Sequence, residues 1–285
     1  MSEVFEANRP RLVGVAYAML GSVVDAEDIV QDVYMRWASV GHADIDSPVA
    51  YLTTITTRLA LNRLSSAQRR RETYPGPWLP EPIVTDLSVD PADIVAEAEE
   101  LSTAALAALE RLKPVERAVL LLRDVFDLDY ADIADIVEKS PANCRQIARR
   151  ARDRAGDLSR SPRTTAERER QLITSYLGAM QRGDLDAMKG LFAEDVVLWA
   201  DGGGNVRAAV HPLAGAWRVA RHLVGVAHWT PGNAQTELVR VNSNPGFVAR
   251  VDGVALCVTS FQIVDDVVIG LHSVVNPEKL SHLTR

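Results

Sequence analysis

Apolar residues recur at helical spacing through the first seventy positions. Leu12, Val13, Ala16, Tyr17 and Leu20 share one helix face, and Gly21 is placed to stop that helix. In DAEDIVQDVYMRWASV the apolar positions Ile29, Val30, Val33 and Trp37 again form one face, with Gly41 as the expected end. Ser47 and Pro48 form an N-cap and first-turn pair for a third helix, SPVAYLTTITTRLALNRLSSAQRRR. Residues 73–92 break the period: five prolines and one glycine predict an extended linker. Trp78 and Leu79 sit among those prolines, and a fully solvated linker seldom needs a tryptophan. They are expected to dock on something. Helical spacing is expected to resume at Asp93 and run to about Leu158.

After SRSPRTTAE the pattern changes. Helices are expected around Glu169–Gln181, Asp184–Leu191 and Ala214–Val224. Between and after them stand DVVLWA, ELVRVN, GFVARV, GVALCVTSFQIV and VVIGLHSVV, apolar and β-branched, with turn signals at Asp252-Gly253 and Asp265-Asp266. These predict an α+β domain with a curved antiparallel sheet. The expected division is 1–72, an all-α module; 73–97, a proline-rich acidic linker; 98–160, a second all-α module; and 166–285, the α+β domain.

Charge sharpens this division. The chain is acidic overall, at −7, yet Arg58 to Arg71 contains five arginines and no acid. Lys139 to Arg163 holds eight basic residues against two acids, while Glu72 to Glu100 holds eight acids and no Lys or Arg. Nucleic-acid affinity needs local positive charge, so the distribution matters more than the sum. The two cysteines, Cys144 and Cys257, have neither disulfide-framework nor zinc-ligand spacing. With no leader-like N-terminus and no apolar run of spanning length, a soluble cytoplasmic protein without metal or cofactor is expected.

The second basic stretch has an internal logic. Lys113-Pro114 opens a helix expected to bury Val115, Ala118, Val119 and Leu122. Asp129 caps a short helix that turns Ile133 and Val137 inward, and a break at Glu138–Ser140 follows. Ser140 and Pro141 then start a third helix, SPANCRQIARRARDRA. Two short helices at this spacing read as a helix-turn-helix, whose second helix enters the DNA major groove. Asn143, Arg145, Gln146 and Arg149 occupy base-edge positions, with Arg150, Arg152 and Arg154 left for phosphates. The plainer alternative is an arginine-rich helix on a solvated face.

These motifs resemble those of bacterial RNA polymerase sigma factors of the extracytoplasmic-function group. DAEDIVQDVYMRW is similar to the family's segment that binds core polymerase, and SPVAYLTTITTRLALNRL with AQRRRE to the stretch that reads the −10 promoter element. The helix-turn-helix resembles the family's −35 reader, which includes Ser140. The resemblance implies polymerase-facing or face-supporting roles for Asp28, Gln31, Asp32 and Trp37. It implies −10 contacts for Arg58, Asn62 and Arg63, and phosphate contacts for Arg69, Arg70 and Arg71. Where the common pattern has Asn and Asp, this chain has Arg58 and Asn62, and Tyr51 stands where Trp is frequent.

Members of this group usually end near position 160. The remaining stretch, beginning QLITSYLGAMQRGDLDAMKGLFAEDVVLWADGGG, resembles a SnoaL-like domain of the nuclear-transport-factor-like cone fold, carried by one subgroup. Three short motifs extend that resemblance: WLPEP (Trp78, Leu79, Pro80, Glu81, Pro82), DGGGN (Asp201, Gly202, Gly203, Gly204, Asn205) and NPEKL (Asn276, Pro277, Glu278, Lys279, Leu280). The subgroup usually has Lys where Asn205 stands and Asp where Glu278 stands.

Three roles compete for the extra domain. It regulates the sigma modules in cis, with the linker and glycine-rich loop as the contact. It holds a small-molecule effector in a pocket lined by Trp199, Trp217, Phe247, Phe261 and His272, against the alternative of a filled core. Or it is an enzyme using Asp201, His211, His222 or His272, for which no paired-carboxylate or triad spacing speaks. The favoured reading is a sigma factor regulated in cis that partners core polymerase and promoter DNA and is not itself an enzyme. The runner-up is a ligand-sensing helix-turn-helix regulator.

Overall fold

The computed structural model describes residues 2–40, 45–71, 73–86, 101–155 and 164–284. Gly41 and Asp93, two expected helix boundaries, lie outside them. Contacts divide the chain into two units. The first holds the described residues of Met1–Thr73 and Ala105–Leu158, with Leu101; the second holds those of Tyr74–Asp90, Ser102–Ala104 and Ser159–Arg285.

The first unit is helical. α1 (Ser2–Leu20) ends at Gly21, whose φ of +64° is left-handed backbone that glycine adopts without strain. α2 (Val23–Ser39) starts at Ser22, whose hydroxyl accepts the Asp25 N–H at 3.2 Å, and buries Ala26, Ile29, Val30, Val33 and Trp37. α3 (Pro48–Arg71) follows, with Ser47 Oγ accepting the Ala50 N–H. α4 (Thr103–Leu109) leads to α5 (Pro114–Asp124), buried from Glu116 to Leu122, whereas Val115 stays half-exposed. α6 (Tyr130–Val137) ends at Glu138 with φ +55°, and α7 (Pro141–Ala155) buries Cys144, Ile147, Ala148 and Ala151. Asp129 stands at the N-cap of α6 without a side-chain cap bond. Within this unit α3 packs on α5 and α6, and α1 also packs on α5.

The second unit begins in the linker. Residues 74–83 have no regular structure, and then β1 (Val84–Asp86) pairs antiparallel with the later strand β4 (Gln235–Val241). The linker expected to be extended and docked therefore supplies an edge strand, because Val84 and Thr85 present β-branched residues to an otherwise open sheet edge. α8 (Ala166–Arg182) and α9 (Leu185–Lys189) precede β2 (Phe192–Asp201), β3 (Leu213–Ala214) and α10 (Ala216–Ala227). After β4 come β5 (Asn244–Val251), β6 (Val254–Val264) and β7 (Val267–Val274), then α11 (Pro277–Leu280) and a 3-10 turn over Ser281–Leu283.

The sheet order is β1-β4-β5-β6-β7-β2-β3. It is antiparallel, as expected, except that β2 runs parallel to β7. The physical reason is the crossover: β2 is separated from β7 by α10 and four strands, so its direction is free of hairpin geometry. The hairpin turns fall where expected, with positive φ at Asp252, Gly253, Asp265 and Asp266. Tyr176 packs at ring-centroid distances of 5.0 Å on Phe261 and 6.0 Å on Phe247, and α10 closes the core with Val219, Ala220 and Leu223.

Candidate functional site

On α2 the buried face leaves Asp28, Gln31 and Asp32 exposed, beside exposed Val24 and Met35. A groove of about 320 Å³ runs between α1 and α2, lined in part by Phe5, Val30, Gln31, Tyr34 and Asp28. It offers apolar surface rimmed by Glu6, Asp28 and the Arg9–Glu27 pair, a net acidic rim that suits a partner both apolar and basic. Trp37 is no part of that surface. It is 3% exposed and packs against the Tyr51 ring at 6.0 Å, so it supports the face from beneath.

Among the described residues, Arg58, Arg63 and Arg71 on the basic face of α3 have partners within the unit. Arg58 donates from Nε to Ile136 O at 3.2 Å and from Nη2 to Asp135 O at 2.8 Å. It thereby caps the last carbonyls of α6, which have no helical partner. Arg63 bonds Asp25 and, at 3.1 Å, Asp28; hydrogen bonding to Asp25 is the main cause raising its pKa. Arg71 is partly buried against Glu110 and Leu20 O, and burial lowers its pKa. It is a packing residue here, not an open phosphate ligand. Asn62 is exposed, and the side chains of Arg69 and Arg70 lie outside the described residues.

α7 shows two kinds of arginine. Asn143, Arg145, Gln146, Arg149 and Arg150 are exposed at its N-terminal half, with Arg145 5.5 Å over the Tyr130 ring. Ser140 spends its hydroxyl on the helix, accepting the Asn143 N–H at 3.2 Å. Arg152 instead forms a fork with Asp124, at 2.8 Å from Nε, and Arg154 donates to both Glu116 oxygens at 2.8 Å. These two, expected on phosphates, fasten α7 to α5.

In the second unit the three motifs meet. Asp201, at the end of β2, is fully buried. Its Oδ2 accepts the Leu79 N–H at 2.7 Å and Lys279 Nζ at 2.7 Å; its Oδ1 accepts the Tyr74 hydroxyl at 2.6 Å and the Gly203 N–H at 3.1 Å. Lys279 also donates to Leu79 O, and its Nζ lies 3.9 Å from the Trp78 ring centroid and 5.0 Å from that of Tyr74. A buried ammonium is tolerable because a carboxylate, a carbonyl and two aromatic faces replace its water. Asn276 donates to Tyr74 Oη at 3.0 Å, accepts from Asn205 Nδ2 at 3.2 Å and caps α11 by accepting the Glu278 N–H. Burial, then Asp201, pushes the Tyr74 phenol up.

The glycines are required by this approach. A Cβ on Gly203, at φ +62°, would stand 2.3 Å from Asn276 Nδ2, and one on Gly204, at φ +76°, 2.7 Å from Pro75 Cγ. Leu79, Pro80, Pro82 and Leu280 are buried, Glu81 is half-buried, and Pro277 and Glu278 are exposed. Sequence reading missed Tyr74, whose only signal was an aromatic residue just ahead of the proline run.

The small-molecule pocket weighed against a filled core does not form from its five residues. Phe247 and Phe261 fill the core, Trp199 stacks on His272 at 4.7 Å, and Trp217 is exposed on α10. Burial lowers His272 to about 4. The unfolded chain titrates near 6.5 and takes up a proton that the folded chain refuses. Stability present above pH 6.5 is therefore lost progressively as pH falls towards 4, by at most on the order of 3 kcal/mol. In thermal unfolding between pH 7 and 4, His272→Phe should show a shallower acid loss than the wild type; parallel curves would refute the assignment.

Residues 4–70 match the family described as Sigma-70 region 2, and residues 102–154 match Sigma-70, region 4. The chain is 38% identical to a Mycobacterium tuberculosis protein named ECF RNA polymerase sigma factor SigJ, over 97% of this chain and 92% of the relative. It is 30% identical to a probable ECF RNA polymerase sigma factor SigI of the same organism, over 99% and 96%. The crystal structure of M. tuberculosis SigJ superposes with a TM-score of 0.77 at 34% identity, covering 99% of this chain and 98% of that one.

Proposed function

This chain belongs to the extracytoplasmic-function RNA polymerase sigma factors, and on that premise we propose how its parts divide the work of starting transcription. The α2 face of Asp28, Gln31 and Asp32, backed by Trp37, meets core polymerase. The start of α7, with Asn143, Arg145, Gln146 and Arg149, reads −35 duplex while Arg150 holds phosphate. Asn62, Arg58, Arg63, Arg69 and Arg70 serve the −10 element, Arg58 and Arg63 after exchanging their present partners for DNA. The protein acts in the cytoplasm and does no chemistry of its own: Asp201 and Lys279 are consumed in each other and in the linker.

The SnoaL-like domain acts in cis by gripping the linker between the two sigma modules. The observation that carries this reading is the pair of bonds from buried Asp201 and Lys279 to the Leu79 backbone. A linker held from Tyr74 through β1 leaves a shorter free tether, and tether length sets how far two tethered modules reach. The grip therefore restrains promoter engagement.

Run-off transcription with purified core polymerase, on the region upstream of the protein's own gene, tests this. A chain ending before Asn276 lacks Lys279 and should yield several-fold more transcript than the full chain. Equal output would refute restraint by the linker grip, and lower output would make the domain an assembly aid instead.

A further inference from the structure

The outer face of α10 carries a feature that neither promoter binding nor the linker grip uses. Ala216, Val219, Ala220 and Leu223 point into the core, so Trp217, Arg218, Arg221 and His222 face outward or lie at the margin. With Arg207 and Trp229 they line a groove of about 630 Å³, a volume in the range of small-molecule sites.

The lining is chemically one-sided. Three arginines, and no Asp or Glu, face the groove. Among the described residues, Arg207, Arg218 and Arg221 have no ion-pair partner, although the chain as a whole has an excess of acids. Trp217 and Trp229 are 55% and 77% exposed, an unusual state for the largest apolar side chain. The Arg221 guanidinium lies 5.1 Å from the Trp217 ring centroid and that of Arg207 5.5 Å from the Trp229 ring centroid. Each stacked guanidinium keeps in-plane donors free for a carboxylate fork.

We propose that this groove is a binding site for a small aromatic anion, its ring stacked on the indoles of Trp217 and Trp229 and its carboxylate held by Arg207 and Arg221. A single strand of nucleic acid fits less well, because such binders run a longer basic track with successive stacking platforms. The site stands whether or not the domain restrains the sigma modules. It does adjoin the grip: Arg207 and Ala208 continue directly from the glycine loop, and a Cβ on Gly202 would lie 2.8 Å from that of Ala208.

Isothermal titration of the full chain with 2-naphthoate tests the proposal, with the neutral 2-naphthylmethanol and a short oligothymidylate as alternatives. Naphthoate should bind with sub-millimolar affinity and naphthylmethanol at least about tenfold more weakly, the worth of a charge-assisted bond. The double variant Arg207→Gln/Arg221→Gln and the single variant Trp217→Leu, all on the surface, should each weaken naphthoate by about as much while keeping the wild-type melting temperature. Three results would overturn the proposal: no naphthoate binding, equal binding of the alcohol, or naphthoate binding unchanged in both variants. Oligothymidylate that binds through Arg207 and Arg221 while naphthoate does not would also overturn it, in favour of nucleic acid.

Discussion

Replacing Lys279 with methionine should destabilise the second unit by about 3–5 kcal/mol, the usual cost of removing one partner from a buried ion pair. Asp201 is fully buried, and Lys279 is 7% exposed. Without the ammonium the carboxylate keeps only the Leu79 and Gly203 amides and the Tyr74 hydroxyl. Methionine fills the slot between Trp78 and Tyr74, so lost packing contributes little and the unpaired charge dominates. The double variant Lys279→Met/Asp201→Asn removes that charge and should recover part of the loss. Urea unfolding of the two variants beside the wild type separates these terms. A loss below about 1 kcal/mol for the single variant would place the pair in the class of solvated bridges. Limited proteolysis gives the functional readout: cleavage between Trp78 and Pro82 should appear in Lys279→Met and stay slow in the wild type.

A loss of similar size, about 3–5 kcal/mol, is expected in the first unit for Arg117→Met. This arginine is 1% exposed, and its guanidinium reaches acceptors on α1, on α4 and in the turn after α4. Nε donates to Leu109 O at 3.0 Å, Nη1 to Met19 O at 2.7 Å and Nη2 to Glu110 at 2.5 Å. Met19 lies on α1, so one side chain on α5 joins the region-2 helices to the region-4 helices. Truncation leaves two buried carbonyls without this donor and leaves Glu110 with Arg71. Arg117→Lys keeps the charge but cannot span all three acceptors, because its donors radiate from one nitrogen. It should fall between wild type and Arg117→Met in urea unfolding. Equal stability of all three would show that water replaces the arginine's bonds.

The helices and hairpins were legible because their signals are local. Gly21, the Ser47 and Ser140 caps and the Asp252-Gly253 turn each act within four residues of where they stand. The exposed start of α7 was legible for the same reason: period and cap together decide which arginines face out. What α7's last turn does was not legible. Arg149, Arg150, Arg152 and Arg154 look alike in sequence, yet only the placement of Asp124 and Glu116 on α5 binds the last two. Likewise Trp37 belonged to the right face by resemblance, but only packing against Tyr51 shows that it sits beneath the surface.

By itself, then, the sequence determined the order of modules, the helix faces and the three motifs worth watching, since period, caps and composition are properties of neighbouring residues. Only the tertiary structure decided that Lys279 reaches the backbone of Leu79, 200 positions away, and that Arg58 caps a helix 78 positions on. It also decided that the linker enters the sheet as β1 and that β2 lies parallel to β7. For Lys279 and for β1 the physical reason is the same. A buried charge or an open sheet edge needs some partner, and many residues could serve. Which one does is settled only when the whole chain is packed.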